Sequence, residues 1–110
     1  MKDGLIEEFY DNGQLRSREN WKEGKRDGLC ETFWNNGQLQ TKGNFKNGKE
    51  DGLWENYHDN GQVDTRVSFI DGKQNGLFFW YDEEGNLTKT EEWKDGKLIF
   101  RKLVMITWTL

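Results

Sequence analysis

The sequence predicts an all-β protein: a single-sheet antiparallel meander of four β-hairpins, closed by a C-terminal capping strand. A frame of 24 residues recurs without a gap in residues 3–26, 27–50, 51–74 and 75–98, and a fixed short period is typical of a repeat architecture. Within each unit, runs of about six residues rich in aromatics are bounded by Asn-Gly or Asp-Gly, which indicates hairpins. No segment shows a capped helical period long enough to compete.

The first unit shows the predicted elements in order. A strand over Leu5–Tyr10 leads to a turn at residues 11–13, and a second strand over Leu15–Trp21 returns. A second turn over Lys22–Lys25 leads into the next unit. The other three units repeat this plan.

The numbering of the apolar residues predicts the turn type. A two-residue loop would send half of them to the opposite face, whereas a three-residue loop with its glycine last keeps them together. We therefore predict three-residue loops throughout, so that one face collects the odd-numbered apolar side chains. If the ring of Phe45 is fully buried on that face, Phe45→Ala should cost ~3–5 kcal/mol. The predicted structural glycines are Gly13, Gly24, Gly37, Gly48, Gly61, Gly72, Gly85 and Gly96. The odd-numbered set is Leu5, Phe9, Leu15, Trp21 and their equivalents in the later units.

A glutamate interrupts this apolar face in three units, at Glu7, Glu31 and Glu55. The predicted register places a hydroxyl opposite each carboxylate, in the pairs Glu7–Ser17, Glu31–Thr41 and Glu55–Thr65. A half-buried carboxylate needs hydrogen-bond donors, and a cross-strand hydroxyl can supply one. We interpret these glutamates as structural rather than as acid–base catalysts.

The opposite face is mostly polar, but one apolar position recurs there, at Ile6, Cys30, Trp54 and Phe78. An exposed row of this kind is typical of a contact surface, although sheet twist and neighbouring side chains could also cover it. Basic side chains on the second strands share this face. The predicted partner-binding residues are Tyr10, Trp34, Trp54, Phe78, Arg16, Arg18, Lys42 and Arg66.

Neither composition nor motifs indicate a catalytic, cofactor or metal site. His58 is the only histidine and lies at a tolerant surface position, without the ligand cluster that a metal needs. Cys30 takes the place of an apolar residue. Basic residues among aromatics can bind single-stranded nucleic acid, but the net charge of −4 argues against it. We expect no enzymatic activity, no cofactor and no nucleic-acid partner.

The bulk properties favour a cytoplasmic, one-domain protein. The chain has 110 residues, 33% of them apolar and 15% aromatic. Its one cysteine excludes an internal disulfide, which favours a reducing compartment. The N-terminus has no signal-peptide pattern, and no stretch reaches the ~18 apolar residues of a membrane span.

The spacing D-G-L-x-E-x-[FY]-x-x-N-G-Q-[LV], followed by an aromatic and x-[DEN]-G-K, resembles the bacterial MORN-variant repeat from Asp3 to about Leu98. The resemblance implies an elongated, twisted antiparallel sheet and a non-catalytic protein-binding module. Many bacterial proteins of this type are described as antitoxin components of toxin–antitoxin systems, so a neutralising partner of a toxin or effector is implied. The resemblance also implies an alternative to a protein-binding module, namely a membrane-proximal scaffold.

Residues 99–110, IFRKLVMITWTL, depart from the repeated frame. Repeat arrays need terminal caps because the last hairpin otherwise leaves an open edge. We predict a ninth strand that covers the final hairpin. A self-association strand and an anchor that lies on a membrane are the alternatives.

Overall fold

A computed structural model describes residues 1–104 and confirms the all-β fold class. Nine antiparallel strands form one open sheet in chain order, and the described residues contain no helix. The strands are β1 (Gly4–Phe9), β2 (Leu15–Lys22), β3 (Lys25–Phe33), β4 (Leu39–Lys46), β5 (Lys49–Tyr57), β6 (Val63–Ile70), β7 (Lys73–Tyr81), β8 (Leu87–Lys94) and β9 (Lys97–Leu103).

The molecule is a single layer, measuring 57 × 37 × 13 Å along its principal axes. Two packed sheets would already be about 10 Å apart between their mid-planes, before side chains are added to their outer faces. Within the described residues, only Cys30 and Val67 are buried hydrophobic side chains. The condition attached to Phe45→Ala is therefore not met: the ring is half-buried, and the substitution should cost less than the ~3–5 kcal/mol of an enclosed ring.

The first turn of each repeat is the predicted three-residue loop. In the first repeat, the Gly13 N–H donates to the Tyr10 carbonyl at 2.9 Å, and the Tyr10 N–H donates to the Gln14 carbonyl at 2.8 Å. Gly13 has a φ of 86°, which suits the left-handed position that closes such a loop. Phe9 lies opposite Leu15, as predicted. The same loop closes at Gly37, Gly61 and Gly85.

The second turn of each repeat contradicts the prediction of three residues. Lys22 pairs directly with Lys25, so only Glu23 and Gly24 lie between the strands, with φ values of 52° and 81°. Two positive φ values define a type I′ turn, whose twist matches that of the flanking strands. The same two-residue turns end at Gly48, Gly72 and Gly96.

A β-bulge after the first turn changes the register. Phe9 lies opposite Leu15 but Glu8 lies opposite Ser17, so Arg16 is an extra residue on β2. One extra residue moves every side chain beyond it to the other face. The predicted carboxylate–hydroxyl pairs are therefore wrong. The observed pairs are Glu7–Arg18, Glu31–Lys42 and Glu55–Arg66.

A second bulge lies at the Asp-Gly or Asn-Gly pair that opens each later repeat. Between the pairs Trp21–Arg26 and Glu19–Cys30, three residues of β3 face the single residue Asn20 of β2. Gly28, inside this bulge, has a φ of 106°. The bulge adds two residues to β3, which leaves the alternation of faces unchanged. The two-residue turn instead pairs Trp21 with Arg26, so Trp21 and Leu29 lie on opposite faces, and the predicted single apolar face is wrong.

The one-residue bulge and the two-residue turn together divide the apolar residues between two faces. The aromatic face carries the row Ile6, Cys30, Trp54 and Phe78 together with Trp21, Phe45, Phe69 and Trp93. The leucine face carries Leu5, Leu29, Leu53 and Leu77 together with Phe9, Phe33, Tyr57 and Tyr81.

Burial is the reverse of the sequence prediction. Cys30, expected on the wet face, is only 6% exposed, whereas Leu5, Leu53 and Leu77 are 55%, 50% and 50% exposed. The closest packing therefore follows the middle of the aromatic face, and the leucine face is largely open to solvent.

The predicted ninth strand is confirmed as β9, which pairs with β8 and places Arg101 opposite Glu91. All of its residues are exposed. Residues 105–110, which complete the predicted apolar tail, lie outside the described residues.

Candidate interaction surfaces

The predicted partner-binding residues do not form one surface. Trp54 and Phe78 lie half-buried on the aromatic face, where Trp54 meets Phe45 edge-on with ring centroids 4.9 Å apart and Phe78 stacks on Trp80 at 3.6 Å. Arg18, Lys42 and Arg66 lie on the leucine face. The one-residue bulge in each of these hairpins separates the two groups, which unbroken alternation would have kept on one face.

A charge ladder crosses the leucine face. Its members alternate in sign on successive strands in the order Glu7, Arg18, Glu31, Lys42, Glu55 and Arg66. Arg18 Nε lies 3.0 Å from Glu7 and its Nη1 lies 3.9 Å from Glu31; Arg66 Nε lies 2.9 Å from Glu55. Exposed pairs of this kind contribute ~0–1 kcal/mol each. Arg18 and Arg66 therefore already have partners within the sheet.

Tyr10, Trp34 and His58 connect neighbouring repeats at the edge formed by the three-residue loops. The Tyr10 hydroxyl donates to the Phe33 carbonyl at 2.5 Å, and Trp34 Nε1 donates to the Tyr57 carbonyl at 3.2 Å. His58 Nε2 lies 3.1 Å from the Tyr81 carbonyl. The side chain of His58 is only 19% exposed, so its predicted tolerant surface position is wrong. Arg16, also predicted to bind a partner, forms an ion pair with Glu8.

The loop asparagines form a second connection between repeats that sequence reasoning missed. The side-chain oxygen of Asn36 accepts from the Gln38 N–H at 2.9 Å, while its amide donates to the Asp59 carbonyl of the next repeat at 2.8 Å. Asn12 and Asn60 make the same two contacts. The recurring N-G-Q triplet was the available signal. The loop edge is thus occupied by contacts within the array.

In the last repeat, Asp82 takes the position of Tyr10, Trp34 and His58. Its carboxylate accepts the N–H groups of Asn86 and Glu84 at 2.9 and 3.0 Å. The hydrogen bond from the Asn86 backbone is the main cause that lowers the pKa of Asp82. The Asp82 carboxylate thus stabilises its own loop, whereas Tyr10, Trp34 and His58 contact the next repeat.

A lysine row lies on the leucine face beside the type I′ turns, and sequence reasoning missed it. Three of the four turns place two lysines directly opposite each other, and all members of the row are exposed. The recurring K-x-G-K pattern was the signal in the sequence. The row consists of Lys22, Lys25, Lys46, Lys49, Lys73, Lys94 and Lys97, with Ile70 at the remaining position.

Glu91 is a buried carboxylate, 4% exposed, on the aromatic face. Burial alone would raise its pKa, but hydrogen bonds from Trp93 Nε1 at 2.9 Å and Arg101 Nε at 2.8 Å outweigh it, helped by the charge of Lys89, and the pKa of Glu91 is lowered. Arg101 lies on β9 and Glu91 on β8, so this hydrogen bond helps to join the last strand to the sheet.

Cys30 shows no sign of an activated nucleophile. Burial, followed by the negative charge of Glu19, raises the pKa of its thiol, whereas reactive cysteines have a lowered pKa. Among residues 1–104, no group of three or more histidine, cysteine or acidic side chains is placed to hold a metal ion. The same part of the chain has no helix that is long and apolar enough to cross a membrane.

A family model described as MORN repeat variant matches residues 2–23, 26–47, 50–71 and 74–95. Each matched segment starts just before the Asp-Gly or Asn-Gly pair of its repeat and ends at the first residue of a type I′ turn. The four segments together cover more than half of the chain. A search of curated proteins found no significant match.

Proposed function

The chain belongs to the MORN repeat variant family, and from this premise we propose that it is a non-catalytic module that binds a protein partner through its leucine face. Repeats of this family generally serve as protein- or membrane-binding modules. An array of hairpins offers such a partner an extended surface.

The exposed apolar side chains of the leucine face carry this proposal. Leu5, Phe9, Leu53 and Leu77 are each 50–57% exposed. Soluble monomers rarely leave large contiguous apolar patches open, and such patches typically mark interaction sites. The sheet is one layer thick, so within residues 1–104 no second layer covers this face.

Affinity capture from the native cell tests the proposal when the bait carries Leu53→Asp. A partner of the leucine face should be captured by the unaltered chain and lost with this variant, because a carboxylate cannot be desolvated against an apolar contact. Asn35→Asp is the matched control, since it adds the same charge at the exposed loop edge. Capture that both variants leave unchanged would contradict the proposal.

The finer proposal is that the captured protein is a toxin or effector that the chain neutralises, as its resemblance to antitoxin-like repeat proteins implies. The captured protein is expressed alone and together with this chain. Growth arrest that the chain relieves, and that Leu53→Asp fails to relieve, would support neutralisation. A captured protein without effect on growth would remove this finer role and leave the binding function in place.

A further inference from the structure

We propose that Asn47 is a site of spontaneous deamidation, where the side-chain amide is lost and aspartate or isoaspartate forms without an enzyme. Asparagine is among the chemically labile residues of proteins, and a glycine after it leaves the reacting groups least obstructed. The sequence contains five such Asn-Gly pairs, and the structure sets one of them apart. The pairs begin at Asn12, Asn36, Asn47, Asn60 and Asn75. This inference is independent of the proposed binding function.

The reaction needs only Asn47, Gly48 and water. The Gly48 nitrogen gives up its proton to solvent hydroxide and attacks Cγ of Asn47, so that an N–Cγ bond forms. The Cγ–Nδ2 bond then breaks, and Nδ2 takes up a proton and leaves as ammonia, which completes a succinimide ring. Water adds to one of the ring carbonyls: cleavage of the new N–Cγ bond gives aspartate, and cleavage of the original peptide bond gives isoaspartate. No oxidant or reductant takes part.

The asparagines of the three-residue loops are held by two hydrogen bonds each. Asn36 Oδ1 accepts from the Gln38 N–H at 2.9 Å, and its Nδ2 donates to the Asp59 carbonyl at 2.8 Å. Asn12 and Asn60 make the same two contacts at 2.9–3.3 Å. Because Cγ turns toward the glycine nitrogen only after both bonds break, these contacts slow the reaction in the loops.

Asn47 has a free side chain. It is exposed and is the first residue of a type I′ turn. Its side-chain amide makes no hydrogen bond to residues 1–104, whereas its backbone N–H donates to Asp27 Oδ2 at 3.4 Å. The Gly48 N–H donates to the Arg26 carbonyl at 2.8 Å, but the glycines of the three-residue loops donate similar bonds. The side chain therefore distinguishes this turn from the loops.

The reaction also requires the turn to open. The fixed backbone of a folded turn holds the reacting atoms in one arrangement, so the reaction proceeds from a transiently opened turn, and exposed turns open at little cost. Opening at Asn47 breaks the hydrogen bond of Gly48 and the closing pair Lys46–Lys49. The three-residue loops must break two side-chain bonds in addition to their backbone bonds, which lowers their reactive fraction at least about fivefold.

Asn75 is the intermediate case. It is half-buried and lies in the bulge that opens the last repeat. Its Nδ2 donates to Asp95 Oδ1 at 3.3 Å, so one side-chain bond restrains it where the loop asparagines have two. Its rate of deamidation should lie between those of Asn47 and the loop asparagines.

The aspartate product at position 47 fits the pattern of the array. The equivalent turn residue of the next repeat is Asp71, whose Oδ1 lies 3.6 Å from Lys49 Nζ. One repeat earlier, Lys25 holds the position of Lys49, and it lines the same cleft as Asn47. A carboxylate at position 47 should therefore pair with Lys25. Isoaspartate instead inserts a methylene group into the main chain, which a two-residue turn does not accommodate.

Peptide mapping by mass spectrometry after incubation in mildly alkaline buffer tests the inference. In the folded protein, the peptide with Asn47 should gain the mass of the acid at least about fivefold faster than the peptides with the loop asparagines. The same incubation in urea should bring the rates close together, because each of these asparagines then precedes glycine in an unfolded chain.

Asn47→Asp tests the pairing of the aspartate product with Lys25. The midpoint of urea unfolding should stay unchanged in the original background. It should fall in the Lys25→Gln background, where the repulsion from Asp27 and Asp71 is no longer offset. Lys22→Gln is the matched control background, because Lys22 lies opposite Lys25 at the same turn. There, Asn47→Asp should again leave the midpoint unchanged.

Deamidation of Asn47 no faster than that of Asn36 in the folded protein would overturn the inference. An equal ratio of these two rates in urea would also overturn it, because the local sequence and not the fold would then be the cause. If Asn47→Asp lowers the midpoint equally in every background, the pairing with Lys25 is wrong and the modification site stands.

Discussion

Gly43 makes room for an aromatic ring at the centre of the sheet. A Cβ atom at this position would lie closer than 3.0 Å to three ring atoms of Trp54. The indole also donates a hydrogen bond from Nε1 to the Asn44 carbonyl at 3.0 Å. The ring thus covers the glycine backbone in place of a second layer. Glycine at this position is needed for a close approach and not for its backbone conformation, since Gly43 is not among the glycines with a positive φ.

Gly43→Ala should therefore destabilise the sheet by ~1–3 kcal/mol, because the Trp54 ring must move off its position. Urea unfolding measures the loss. Trp54→Ala provides the reference background: there the methyl group meets no ring, and adding Gly43→Ala should cost little. An equal cost in both backgrounds would show that the contact with the ring is not the cause.

Glu91→Gln tests the buried carboxylate that holds β9. The folded state lowers the pKa of Glu91, so the stabilisation is present above its ordinary value of 4.5 and is lost as the pH falls through the folded-state value. Since hydrogen bonds to a charged group contribute ~1.5–3 kcal/mol, the variant should be less stable by an amount of this order at pH 7.

Urea unfolding between pH 7 and pH 3 measures this difference, because the other acidic groups are shared and cancel. The gap between the original chain and Glu91→Gln should narrow below about pH 4.5. A gap that stays constant across this range would contradict a stabilising charge at Glu91.

At the scale of the element, the hairpin depends on the left-handed residue that closes the three-residue loop. Gly61 has a φ of 89°, and a Cβ atom there would lie 3.1 Å from the Gln38 Oε1 of the preceding repeat. The position therefore needs a residue that tolerates a positive φ, and it leaves little room for a side chain. This loop also holds the asparagine contacts that join one repeat to the next.

Gly61→Val should cost ~1–3 kcal/mol, since a β-branched residue is strained at a positive φ. Thermal unfolding followed by circular dichroism measures the effect. Gly61→Asn is the matched comparison, because asparagine tolerates the left-handed conformation better, and it should cost clearly less. If valine and asparagine were equally tolerated, the loop would not need a left-handed residue.

At the scale of the whole molecule, stability comes from neighbour-to-neighbour contacts repeated along the array. Each strand pairs only with the strands next to it in the chain. Side-chain bonds join residues 23 positions apart at three successive repeat boundaries: Tyr10–Phe33, Trp34–Tyr57 and His58–Tyr81. In an array of this kind, stability is approximately a sum of repeat and interface contributions.

Deletion of residues 27–50 should therefore leave a folded, shorter sheet. The urea m-value should fall by about a fifth, in proportion to the surface exposed on unfolding. Deletion of residues 39–50 alone is the control, because it removes one strand of a hairpin and reverses the direction of every later strand. The proposal of independent repeats fails if the first deletion unfolds the protein as completely as the second.

Sequence alone determined the strands, the order of the hairpins, the three-residue loop of the first turn in each repeat, and the ninth strand. These features follow from local chemistry: Asn-Gly and Asp-Gly mark turns within a few residues, and a fixed period repeats each local decision. The family could also be recognised from the spacing. The K-x-G-K pattern is visible in the sequence, but only the structure shows that Lys22 and Lys25 lie directly opposite each other.

Only the tertiary structure decided which side chains share a face. Arg16 adds one residue to β2 but not to β1 and so reverses the alternation beyond it. The two-residue turn at Glu23-Gly24 pairs even with odd positions, whereas the two residues added to β3 at Asp27-Gly28 leave the alternation unchanged. Whether a residue is extra depends on the strand it pairs with, which the residue itself does not specify. For this reason the leucines became the open face and Cys30 entered the core.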